Sequence, residues 1–139
     1  MLRPRKTAIF LASLFAFAGF AAGLAVGQGA IPSANRGLSA SPLKSLDLTS
    51  EIETVRGRPL RMRKITLQPG GVIGLHTHRD RPAVSYMLEG EVTYHQDGKP
   101  DTVVRAGDGI AEGKETTHWA ENRGAVPAVW IAVDVPKEL

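Results

Sequence analysis

The stretch Gly70-Gly71-Val72-Ile73-Gly74-Leu75-His76-Thr77-His78 decides how the rest of the chain is interpreted. It begins with two glycines after a proline, which is typical of a turn, and an apolar run then leads to two histidines. Side chains two residues apart on a β-strand point to the same face. His76 and His78 are therefore predicted to project together, and two imidazoles placed in that way are half of a metal site.

His118 is the next candidate ligand, in the segment Thr116-Thr117-His118-Trp119-Ala120-Glu121-Asn122. This segment also has the pattern of a strand. Three neutral imidazoles that converge inside a barrel would hold Zn, Fe(II), Mn, Ni or Cu, so the pattern predicts a divalent transition metal without choosing among them. The fourth histidine, His95, precedes an Asp-Gly turn signal and is predicted to be an exposed hairpin residue.

Downstream of about Leu46, short apolar runs alternate with turn residues and no helical stripe is present. Nine strands at this spacing predict an all-β sandwich or barrel of about a hundred residues. The predicted strands are Ile52 to Arg56, Arg61 to Leu67, Val72 to His78, Ala83 to Leu88, Glu91 to Gln96, Thr102 to Arg105, Gly109 to Glu112, Thr117 to Arg123 and Ala128 to Val135.

Residues 1–29 have the pattern of an export signal, with Arg3, Arg5 and Lys6 before an apolar run that ends in glycine and alanine. The run is also long enough for an uncleaved membrane-anchor helix. In either case the positive charges stay inside, so the domain is expected to be periplasmic or secreted, or anchored outside the cytoplasm. Residues 30–45 are predicted to be a flexible linker, and residues 46–139 the folded domain.

Composition excludes several function classes. The chain has no cysteine, which excludes disulfides, thiolate metal sites and a thiol nucleophile. Without the three basic residues of the leader, fourteen basic residues face fourteen acidic ones, so no basic footprint for nucleic acid is present. The local basic cluster is interpreted as a solvated strand face, and it comprises Arg56, Arg58, Arg61, Arg63 and Lys64.

Two motifs of the chain resemble those of the cupins. The first cupin motif has a glycine, a His-x-His pair, a glutamate and a second glycine, and the second motif has a glycine, a histidine and an asparagine. This chain matches the first with Gly70, His76, His78 and Gly90, and the second with Gly107, His118 and Asn122. The resemblance covers most of the chain after residue 45. It implies the double-stranded β-helix (jelly-roll) barrel, a metal on the motif histidines, and a homodimer.

The chain departs from the cupin pattern at one ligand. The glutamate of the first motif should fall at Ala83 or Pro82, and neither side chain can bind a metal. Asp80 shares strand parity with His78, but Pro82 disfavours continuation of the strand, so Asp80 is interpreted as a loop carboxylate. The residues implied as ligands are thus His76, His78 and His118, without a carboxylate, and no catalytic residue is assigned.

Strand parity also predicts the residues beside the metal. Ser85 and Met87 share the parity of Ala83 and should line the pocket with it, and Arg81 could pair with a carboxylate of a substrate. The resemblance then favours a metal-dependent dioxygenase that acts on a small organic molecule. The alternative is a binding module that captures a small ligand or a metal without catalysis.

Overall fold

The computed structural model describes residues 30–137, which form an all-β structure with one short 3-10 helix at Glu53–Val55. Every strand pair is antiparallel. The strands are β1 (Arg36–Asp47), β2 (Pro59–Thr77), β3 (Ala83–Glu89), β4 (Glu91–Gln96), β5 (Thr102–Arg105), β6 (Gly109–Glu112), β7 (Thr117–Glu121) and β8 (Ala128–Asp134).

The strands form one sheet in the order β5-β4-β7-β2-β8-β3-β6. Strand β1 lies outside this order and pairs with β2. The sheet curls into a nearly closed barrel. The loop between the edge strands β5 and β6 is fixed to β3, since Met87 donates a backbone hydrogen bond to Asp108 and Gly107 donates one to Met87. This architecture agrees with the jelly-roll barrel expected from the sequence.

The long strand β2 changes partner at its central glycines. Arg61 to Leu67 pair with β8, and Val72 to Thr77 pair with β7. Between them Gly70 has a positive φ of 69°, which a residue with a side chain adopts only with strain. Backbone hydrogen bonds between this bend and Asn122 fix the change of partner. The predicted turn is therefore a bend within one strand that joins the two halves of the barrel.

The hydrophobic core lies inside the barrel, next to the histidines. Its buried residues come from several different strands, which is why no single segment could form it alone. They are Leu67, Met87, Val92, Tyr94, Val104 and Ala128. Buried Asn122 closes one end, because its side-chain amide donates to the backbone carbonyls of Leu67 and Val126.

Two sequence predictions differ from the structure. The linker expected at residues 30–45 is in large part strand β1, whose backbone pairs with β2 although most of its side chains are exposed. Backbone pairing needs no hydrophobic period, so the sequence pattern missed it. The strand expected at Ile52 to Arg56 is instead the 3-10 helix at Glu53–Val55, in a connection that lacks a pairing partner among the described strands.

The leader predicted at residues 1–29 lies outside the described residues. Between residues 30 and 137 the structure contains no helix that is long and apolar enough to cross a membrane.

Candidate metal centre

The three candidate histidines meet because of strand register. His76 on β2 lies directly opposite His118 on β7. His78 follows the end of β2 and is held there by its backbone amide, which donates to the carbonyl of Thr116. The Nε2 atom of His78 is 3.2 Å from Nε2 of His76 and 3.2 Å from Nε2 of His118. The structure thus brings together all three ligands that the sequence predicted.

The spacing of these nitrogens fits a shared divalent ion. Ligand atoms about 2.1 Å from a metal are about 3.0 Å apart at neighbouring octahedral positions and about 3.4 Å apart in a tetrahedron. The observed separations fall between these two values.

The other ring nitrogens show how the imidazoles are oriented. Nδ1 of His76 donates to the carbonyl of Gly74 at 2.9 Å, and Nδ1 of His78 donates to the carbonyl of Arg81 at 3.0 Å. With the proton on Nδ1, Nε2 carries the lone pair that a metal binds. Nδ1 of His118 is buried without a hydrogen-bond partner, so the position of the ring proton depends on the group that Nε2 contacts.

Burial keeps two of the imidazoles neutral. The loss of hydration lowers the pKa of His76, with a smaller contribution from the neighbouring His118. Burial also lowers the pKa of His78, although the nearby Glu112 carboxylate acts in the opposite direction. Because a metal binds neutral imidazole, both shifts favour the form that can act as a ligand.

Glu112 also lies at the centre, although the sequence pattern did not predict it there. Its Oε1 atom lies 3.1 Å from Nε2 of His118, and its Oε2 atom lies 3.6 Å from Nε2 of His78. Tyr94 donates a hydrogen bond to Oε1 at 3.3 Å, and the Tyr94 ring stacks on His118. Burial would raise the pKa of Glu112, but the hydrogen bond with His118 and the electrostatic contributions of the three histidines outweigh burial and lower it. The only sequence signal for Glu112 is its place at the end of a predicted strand.

The centre opens into a cavity of about 430 Å³ inside the barrel. The predicted pocket residues Arg81, Ala83, Ser85 and Met87 all lie on its wall. Part of another wall comes from the segment around β1, which includes Ser33, Asn35, Leu38 and Ala40. Gly74 allows this close approach, since a Cβ atom there would lie 2.7 Å from the backbone carbon of Ser33.

A second charged cluster lines the same cavity. Asp134 is 1% exposed and accepts hydrogen bonds from Arg61 and Arg63, while Nη1 of Arg81 lies 3.6 Å away. Burial would raise the pKa of Asp134, but the hydrogen bonds from Arg61 and the charges of the three guanidiniums outweigh burial and lower it. Nε of Arg63 is buried without a partner. Two residues of the basic cluster are therefore not part of a solvated strand face. Arg63 lines the cavity, and Arg61 binds the buried carboxylate of Asp134.

Two further predictions concern residues away from the centre. Asp80 is exposed and does not line the cavity, which agrees with its interpretation as a loop carboxylate. The prediction that His95 is exposed is wrong. His95 is buried on the outer face of β4, contacts the carboxylates of Asp101 and Glu121, and stacks on Trp119. Its neighbours on β7 are distant in sequence, which is why the turn signal alone was misleading.

Known proteins resemble this chain in both sequence and fold. A family model described as a cupin domain matches residues 63–134. The chain therefore belongs to the cupin family.

An oxalate-binding protein from Thermotoga maritima is 31% identical over 81 residues, which are 58% of this chain and 66%, or just under two thirds, of that protein. A crystal structure described as a predicted oxalate decarboxylase, also from Thermotoga maritima, superposes with a TM-score of 0.57 at 24% identity, over 77% of this chain and 94% of that one. An RmlC-like cupin from Shewanella frigidimarina gives a TM-score of 0.54 at 26% identity, over 72% and 77% of the two chains.

Asp134→Asn is expected to destabilise the protein by about 3 kcal/mol at neutral pH, because it leaves partly buried guanidiniums without their counter-charge. The pKa of Asp134 is lowered from 3.8. Its stabilising contribution is therefore complete above about pH 4 and is lost as the pH falls through the lower, folded-state pKa. Urea unfolding followed by tryptophan fluorescence should show the difference in stability between the variant and the wild type decreasing as the pH falls below about 4.

The exposed Asp97→Asn is the matched control for this measurement and should leave the free energy of unfolding unchanged. A difference between Asp134→Asn and the wild type that stays constant from neutral pH to about pH 3 would contradict the assignment.

Proposed function

We propose that this protein is a metal-dependent dioxygenase that acts on a small chelating organic acid. The observation that carries the proposal is the convergence of three Nε2 atoms on one point in the wall of a cavity inside the barrel. The bound metal would supply Lewis acidity and, in the case of Fe(II), the redox chemistry that dioxygen requires. His76, His78 and His118 would hold it, and the apolar barrel would exclude competing water.

The charge of the cavity supports an acid as the ligand. Three guanidinium groups gather around the single carboxylate of Asp134, and Arg63 and Arg81 line the cavity together with the histidines. A ligand carboxylate would find charge-assisted donors there. A volume of about 430 Å³ is within the range of small-molecule sites. The relative from Thermotoga maritima, described as an oxalate-binding protein, supports the same class of ligand.

A non-catalytic binding module is the second candidate. The description of that relative as a binding protein, rather than as an enzyme, favours it. In such a module the same histidines and arginines would capture the acid on the metal without turnover.

The proposal includes export through residues 1–29, which places the domain in the periplasm or outside the cell, either free or held by an uncleaved anchor. A homodimer also stays a prediction. Val84 and Tyr86 on β3 are 57% and 53% exposed, and a second copy could cover them.

Metal content tests the centre directly. Protein purified without a histidine tag is expected to carry about one transition-metal ion per chain by elemental analysis, and His76→Ala should lose that ion because only two imidazoles remain. His95→Gln is the matched control, since His95 lies on the outer face of β4 and should not affect the metal. Wild-type protein that carries no metal, even after reconstitution, would exclude the proposed function.

Measuring oxygen consumption distinguishes a dioxygenase from a non-catalytic binding module. The Fe(II)-loaded protein is expected to consume dioxygen with at least one member of a panel of oxalate, glycolate, β-diketones, thiols and catechols. The rate should fall to background in His76→Ala. Tight binding of oxalate by calorimetry, without oxygen consumption under any metal tested, would instead favour the module.

The variant Arg81→Met tests whether the ligand is an organic acid. The metal-loaded variant is expected to bind oxalate about 10-fold to 100-fold more weakly, because one charge-assisted hydrogen bond is lost, while its affinity for a neutral β-diketone stays nearly unchanged. Calorimetric titration measures both ligands. Arg79→Met is the matched control, since Arg79 is exposed and does not line the cavity. Equal losses for oxalate and the diketone would contradict a carboxylate-specific role for Arg81.

A further inference from the structure

We infer that Glu112 is the fourth protein ligand of the metal, supplied from strand β6 across the barrel from the histidines. This inference rests on the metal binding proposed above. It changes the predicted centre from three neutral imidazoles to three imidazoles and one carboxylate.

The distances around Glu112 are those of a shared coordination sphere. Oε1 is 3.1 Å from Nε2 of His118 and Oε2 is 3.6 Å from Nε2 of His78. These separations are close to the 3.2 Å between the histidine nitrogens themselves. Ligands that share an ion at about 2.1 Å lie about 3.0 to 3.4 Å apart. The distance to His118 falls in this range and the distance to His78 is slightly longer, so an ion held by these two imidazoles lies within reach of the carboxylate.

The burial of Glu112 supports the same role. The residue is 8% exposed, and its ion-pair contacts within residues 30–137 are with His78 and His118. Buried carboxylates are paired with a cation or bound to a metal, since an isolated one costs too much hydration free energy. No lysine or arginine of the described chain makes an ion pair with Glu112, which leaves a cation held by the imidazoles as its counter-charge.

Strand register explains why the carboxylate is on β6. Glu112 lies directly opposite Ala83 on β3, and both residues line the cavity. Opposite residues in an antiparallel pair have their Cβ atoms about 4.5 to 5.5 Å apart on the same face. The small side chain of Ala83 leaves room for Glu112, and a carboxylate from either position can reach the same region.

Tyr94 fixes the orientation of the carboxylate. Its hydroxyl donates to Oε1, and burial together with the Glu112 charge raises the pKa of the phenol, so it stays protonated as a donor. A hydrogen-bonded carboxylate loses less rotamer freedom when it binds an ion. Tyr94 is therefore a positioning residue for Glu112.

The test compares metal affinity and metal coordination in Glu112→Ala and Glu112→Gln with those in the wild type. Competition with a chromophoric chelator should show Zn²⁺ affinity at least about 10-fold weaker in Glu112→Ala, with a smaller loss in the isosteric Glu112→Gln. X-ray absorption of the Zn²⁺ forms should show one fewer oxygen neighbour from the protein in Glu112→Ala, and the Co²⁺ absorption spectrum should change with it. Glu115→Ala, an exposed glutamate three residues away, is the matched control and should match the wild type.

The double variant Ala83→Glu/Glu112→Ala adds a rescue. Because positions 83 and 112 face each other, it is expected to recover most of the lost affinity and the oxygen neighbour. If Glu112→Ala and Glu112→Gln fold, as judged by circular dichroism, and keep wild-type affinity and spectra while His76→Ala loses the metal, the inference is overturned and the metal centre stands. Wild-type protein that binds no metal would overturn both.

Discussion

The pairing of β2 with β7 is the constraint on which the candidate centre depends. It sets His76 opposite His118, and the parity of β2 then adds His78 on the same face. A slip of one residue in this register would turn one histidine out of the barrel, since side chains alternate between faces. The bend at Gly70, bonded to Asn122, ends the pairing with β8 where the pairing with β7 begins. A register shift between Ile73 and His76 then brings His76 opposite His118.

Two buried carboxylates divide the cavity into regions of different chemistry. Glu112 lies among the imidazoles, where its charge complements a cation. Asp134 lies among guanidiniums that exceed its charge, where the surplus complements an anion. A barrel that brings a cation-binding corner and an anion-binding wall into one cavity can bind a metal and an acid side by side. This division is the physical basis of the function proposed for the protein.

The sequence predicted much of the barrel because its strands carry local signals. Glu91–Gln96, Thr102–Arg105 and Gly109–Glu112 have the expected bounds, since glycines and alternating side chains mark them. Strand β1 was missed because it is held by backbone pairing with β2 and buries little of its own surface. His95 was misplaced for a related reason, since its burial depends on Trp119 and Glu121 of another strand.

The sequence by itself determined the all-β class, the cupin motifs and the three histidines, because residue spacing along a strand already decides which side chains share a face. The role of Glu112 and the charge of the cavity wall depended on the tertiary structure. Glu112 meets the histidines only through the path of β6 around the barrel, and Asp134 gathers Arg61 and Arg63 from a strand about seventy residues earlier in the chain. Contacts between distant strands follow from closure of the barrel, and no local pattern encodes them.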